Sequence, residues 1–204
     1  MNPLFARMCL LISALFCVVY HLRLAAMGAP IFVDDAYYYI IPAQNWWKVG
    51  FFSFDGQEST NGFHPLWAWV NALVLYPFQK PSEIAPLISI SAVQGAIYLA
   101  VIFGLSKALF SPQNPRWQLA WAGPLMLLLY PQITDSYLTN GMESTLSLGV
   151  FLFTLWALIG ERWGVLSIAL ALLMLSRLDT LVFVCTPILV FVLLNKDLFV
   201  LNID

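Results

Sequence analysis

Apolar residues gather along the chain into runs separated by short polar stretches that carry prolines, glycines and charges. A helix that crosses a bilayer needs about 20 mostly apolar residues to match the hydrocarbon thickness. Residues 8–28 form the first such run, closed by Gly28 and Pro30. His21 and Arg23 stand near its far end, where an arginine reaches the interface along its aliphatic stem. Residues 87–109 form another full-length run, ending near Lys107, after Pro81 and Pro86 restart the chain. Further runs occupy 117–130, 144–159, 163–176 and 180–194, divided by a proline-containing turn at 111–115, a polar stretch at 131–143, Glu161-Arg162 and Arg177-Leu178-Asp179. Residues 65–78 are apolar and aromatic but too short to cross, which predicts a helix lying at the membrane surface. The pattern predicts an all-α polytopic membrane protein with about six transmembrane helices.

Charge placement then sets the orientation, since cytoplasmic loops carry an excess of Lys and Arg. With the N-terminus inside, Arg7, Lys107, Arg116, Arg162 and Lys196 face the cytoplasm, against Lys48, Lys80 and Arg177 outside. Reading 65–78 as a crossing would turn the basic turns at Lys107/Arg116 and Arg162 outward. In the favoured orientation most of the eleven acids face outward, namely Asp34, Asp35, Asp55, Glu58, Glu83, Asp135, Glu143 and Asp179. The external face is therefore where chemistry is expected.

Composition supports the same class. With 61% hydrophobic and 10% charged residues and a mean hydropathy of +0.81, a 204-residue chain has too much apolar surface for a water-soluble fold. The net charge of −2, without a basic stripe, excludes a nucleic-acid partner. Cys9, Cys17 and Cys185 lie in apolar runs without metal-knuckle spacing and read as packing residues. The N-terminal run also has the look of a signal peptide, but Pro30 and the absence of a clear A-x-A site argue against cleavage near 26–29.

Asp34-Asp35 follows the first span directly. Two adjacent carboxylates at a low-dielectric boundary repel each other, which suits a general base or a metal ligand; an N-cap role is the plainer alternative. Tyr37, Tyr38, Tyr39, Trp46 and Trp47 fit an interfacial aromatic belt better than a ligand platform. His64 precedes Pro65 at the start of the surface helix, where a histidine can shuttle protons, bind metal or contact phosphate. Glu143 opens a spanning helix, a position the helix dipole favours by itself. Arg177 and Asp179 stand between two short apolar runs and either pair with one another or leave the guanidinium for an anionic head group.

Asp34-Asp35-Ala36-Tyr37 after the first span, Gly50-Phe51-Phe52, Thr60-Asn61-Gly62 with Pro65-Leu66-Trp67, and Gly141-Met142-Glu143 together resemble the N-terminal half of the GT-C membrane glycosyltransferases. The arabinofuranosyltransferase-like and lipid A aminoarabinose transferase-like branches are the most similar. The resemblance covers nearly the whole chain and implies two juxtamembrane helices in the first external loop, at 36–49 and 65–78. It implies a polyprenyl-phosphate sugar donor, a glycan or lipid acceptor, inverting transfer to an acceptor hydroxyl, and an outward active face in a bacterial inner membrane. Asp34 is then the expected base, with Asp35 beside it. Glu143 is expected to shape the acceptor site, His64 to begin the second juxtamembrane helix, and Arg177 to hold the leaving phosphate. A divalent metal on Asp34, Glu143 and His64 is compatible with this scheme. Relatives continue with more spans, so the chain is expected to be a single GT-C-like domain, 1–204, incomplete at its C-terminus. The rival from another class is a non-catalytic transporter subunit or assembly partner, for which no internal repeat or mid-span charge speaks.

Overall fold

The structure is a computed structural model, and it describes residues 3–27, 32–78, 84–110, 140–180 and 182. The expected span at 117–130, nearly all of that at 180–194, and Glu83, Asp135 and Cys185 lie outside the described residues. Among the described residues the chain is helical and contains no strand.

Helix α1 runs Pro3–Ala26, beginning earlier than expected because Leu4 and Phe5 extend the apolar run behind a proline suited to a first turn. A 3-10 turn, Asp34–Ala36, leads into α2, Tyr37–Val49. Helix α3 spans Pro65–Leu75 and tightens into a 3-10 turn at Tyr76–Phe78. Helix α4, Ile84–Leu109, carries Pro86 in its first turn, where no intrahelical N–H is required. Helices α5, Ser144–Ile159, and α6, Trp163–Ser176, keep the bounds that the apolar runs predict. The segments Leu4–Ala26 and Ile84–Lys107 are long and apolar enough to cross a membrane, whereas α5 and α6 are apolar but shorter, at 16 and 14 residues.

Small residues let the long helices approach closely. A Cβ on Gly95 of α4 would stand 2.6 Å from Val18 Cγ1 of α1, so this crossing requires glycine. Ala14 and Val18 pack there on Tyr98, Ile102 and Leu105. Gly149 of α5 rests against Ile97 and Val101 of α4. Helices α5 and α6 form a hairpin whose turn is closed by Gly160 N–H on Trp156 O and Arg162 N–H on Ala157 O, with Glu161 at a φ of 52°. Cys9 faces outward on α1 and Cys17 is half-buried, so the packing role expected of cysteine does not extend to Cys9.

Helices α2 and α3 lie side by side in the same sense. The Tyr39 hydroxyl meets the His64 N–H at their starts, and Trp47 Nε1–H donates to Ala72 O at 2.6 Å towards their ends. Their shared core holds Phe32, Ala36, Tyr39, Ile40, Trp67 and Leu75, and Ile90 of α4 joins it. The return loop between them is ordered by Asp55, whose Oδ1 accepts from the Gln57 and Glu58 N–H groups and the Ser53 hydroxyl. Those bonds hold the exposed Asp55 carboxyl below the usual carboxylate range.

Candidate functional site at one end of the bundle

The start of α2, the start of α3, the turn before α5 and the turn after α6 converge at one end of the bundle. Gly141 makes that convergence possible. Its φ of +83° is one that side chains rarely adopt, and a Cβ there would lie 2.6 Å from Ala36 Cβ and 2.9 Å from Phe32 Cγ. The Val33 N–H donates to Asn140 O at 3.3 Å, tying the Asp34–Ala36 turn to the same strip of chain.

Side chains from two helices and from the turn itself fix Gly141. Trp67 Nε1–H donates to Gly141 O at 2.9 Å. Gln94, fully buried on α4, accepts from the Gly141 N–H at 3.1 Å and donates through Nε2 to Met142 O at 2.9 Å. The Asn140 side-chain oxygen accepts from the Met142 N–H. An amide inside a mostly apolar helix thus satisfies backbone groups of a turn that packing shields from water.

Glu143 emerges from this turn buried, with 3% of its surface exposed. Its Oε2 accepts the Tyr39 hydroxyl at 2.9 Å, while Oε1 faces His64 Nε2 at 3.6 Å and Arg177 Nη1 at 3.8 Å. His64 Nδ1 accepts the Leu178 N–H at 3.2 Å, so in the neutral ring the proton sits on Nε2 and points towards Glu143. Arg177 directs Nε and Nη2 in a fork onto Asp179, at 3.0 and 2.8 Å. That pairing holds the Arg177 pKa above and the Asp179 pKa below their ordinary values. Burial, followed by the adjacent Glu143 charge and hydrogen bond, pushes the Tyr39 hydroxyl well above the ordinary phenol range.

Of the residues singled out in the sequence, His64, Glu143 and Arg177 meet in one network. Asp34 and Asp35 stand on the adjoining 3-10 turn with both side chains exposed, and neither shares a hydrogen bond or ion pair with Glu143. The turn's N-cap is Val33 with no side-chain bond, so the capping alternative for the aspartates is not realised. Among the described residues no group of three or more His, Cys, Asp and Glu side chains converges on a possible metal position, and Asp34 does not join His64 and Glu143. Of the two alternatives for Arg177 and Asp179, pairing is the one present, and an incoming phosphate would have to displace Asp179.

Sequence reasoning missed Tyr39, Gln94 and Trp67. Tyr39 differs from the exposed Tyr37 and Tyr38 only in which face of α2 it occupies. Gln94 did carry a signal, being an amide within a crossing run, where polar groups are expensive unless partnered. Compared with protein-family models, curated proteins and solved structures, the chain gives no significant match.

Proposed function

We propose that the chain is a GT-C-like membrane glycosyltransferase, a multi-pass protein of the bacterial inner membrane whose Glu143 end faces outward. The supporting observation is the buried Glu143 carboxylate, surrounded by Tyr39, His64 and Arg177 from three other segments, beside the solvent-facing pair Asp34-Asp35. A carboxylate desolvated at a bundle end is expensive, and preorganised charge of this kind is how sites orient polar substrates.

In this reading an acceptor hydroxyl attacks the anomeric carbon of a polyprenyl-phosphate sugar, and the bond to the lipid phosphate breaks with inversion. Asp34, exposed to the aqueous boundary, takes the hydroxyl proton, with Asp35 beside it. Glu143 and His64 orient sugar hydroxyls as acceptor and donor. Arg177 exchanges Asp179 for the departing phosphate, since a guanidinium fork fits either oxyanion.

The test uses the whole chain in vesicles with a radiolabelled polyprenyl-phosphate sugar, reading donor binding and transfer separately. Asp34→Asn is expected to lower transfer by roughly 10²- to 10⁴-fold while leaving binding intact. Unchanged transfer in both Asp34→Asn and Asp35→Asn removes the proposed base. Failure of the intact chain to bind the donor removes the transferase reading and favours a non-catalytic membrane subunit.

A further inference from the structure

A second feature runs from the first turn of α5 towards the end of the bundle opposite Glu143. A cavity of about 840 Å³ lies between α4 and α5, walled by Ile97 and Val101 on one side and Leu146 and Phe153 on the other. The ten-residue step from Ile97 to Lys107 makes it about 15 Å long, from the helical rise, which suits an acyl chain. Gly104 lies on its wall, and a Cβ there would meet nothing within 4 Å, so the space beside it is open among the described residues.

Charge distinguishes the ends of this groove. Lys107 and Arg162 line it at the end remote from Leu146. Arg162 is held in place by stacking on Trp156, its guanidinium carbon 4.1 Å from the ring centroid. Arg7, over Phe103 at 5.8 Å, adds a third cation at the same end, where Glu161 is the one acid among the described residues. Lys107 has no acidic partner among the described residues. An apolar slot ending in cations complements a molecule with a hydrocarbon tail and an anionic head.

We infer that the α4–α5 groove binds an anionic glycerophospholipid, one acyl chain lying along Val101, Gly104 and Phe153 and the phosphate between Lys107 and Arg162. The positive-inside orientation puts this end in the cytoplasmic leaflet, where anionic lipids concentrate. The inference rests on the proposed membrane placement and not on the transfer chemistry.

Trp156 lines the groove and supplies its own probe. The full chain is reconstituted in phosphatidylcholine vesicles containing either brominated phosphatidylglycerol or the same amount of brominated phosphatidylcholine. The Trp156 contribution is the difference from Trp156→Phe. The brominated phosphatidylglycerol should quench that contribution at least twofold more than brominated phosphatidylcholine. Lys107→Gln should abolish the preference, and Gly104→Leu should reduce quenching by both lipids. Equal quenching by the two head groups, or quenching untouched by Gly104→Leu, overturns the site while leaving the membrane placement standing. A Trp156 contribution that neither lipid quenches, in a protein that cross-links as a dimer, gives the groove to a second copy and also overturns it. Absence of quenching at every tryptophan overturns the membrane placement itself.

Discussion

Replacing Gln94 by leucine tests the claim that one amide holds the turn from which Glu143 emerges. The side chains are similar in volume, so little cavity is created and the change is confined to hydrogen bonding. Gln94 satisfies two backbone groups, the buried Gly141 N–H and the part-buried Met142 carbonyl. Each orphaned group costs about 1–3 kcal/mol, giving roughly 2–6 kcal/mol, and burying an apolar side chain instead returns roughly 1–2 kcal/mol. The net loss is therefore roughly 0–5 kcal/mol, with a value near the middle of that range expected in the reversible unfolding of the detergent-solubilised chain. The local signature is sharper. Amide exchange at Gly141, followed by mass spectrometry, should accelerate roughly 10- to 100-fold, because its N–H loses its partner. Gln94→Glu retains an oxygen for Gly141 but sets another against Met142 O, so it should be no better than leucine. Stability within about 0.5 kcal/mol of wild type, together with unaltered exchange at Gly141, would refute the clamp.

Three further outcomes follow from the site. Gly141→Ala combines a left-handed φ with contacts of 2.6 and 2.9 Å, so a loss of about 2–5 kcal/mol is expected in thermal unfolding, and Ala36→Gly should restore only part of it. Tyr39 should ionise well above the ordinary phenol range as absorbance is followed into alkali, identified by its loss in Tyr39→Phe. Because its folded pKa is raised, its contribution to stability is complete below the ordinary phenol value near 10 and fades as pH climbs from there towards the folded value; ionisation of Tyr39 within the ordinary phenol range would contradict this. Asp179→Asn frees the Arg177 fork, so the proposed donor should bind several-fold more tightly while stability changes by less than about 1 kcal/mol, as for other exposed pairs. Weaker donor binding in that variant would count against phosphate exchange at Arg177.

Hydropathy located the helices well because burying or solvating an apolar run of given length is a local property of the chain. The bounds of α5 and α6 and the helical stretch from Pro65 to Phe78 were legible in this way. Charge patterning similarly grouped His64, Glu143 and Arg177 on one side, and these residues do meet. It failed to separate Glu143 from Asp34 and Asp35, because burial depends on which face of a turn points into the bundle. Glu143 follows a glycine turn held by Trp67 and Gln94, whereas the aspartates sit on a 3-10 turn whose buried member is Ala36. Tyr39 was hidden for the same reason, one face of α2 being wet and the other packed.

The contacts around Glu143 join residues 104 positions apart in one case and 114 in another, from Tyr39 to Glu143 and from His64 to Leu178. Synthesis therefore delivers Tyr39 and His64 first, the acid next and its guanidinium neighbour last. Until α6 has folded back along α5, Glu143 lacks the Arg177 side chain, so this end of the bundle closes only when both helices are in place. Its assembly is consequently a late step in folding, and chains released before Arg177 would present the acid without that neighbour.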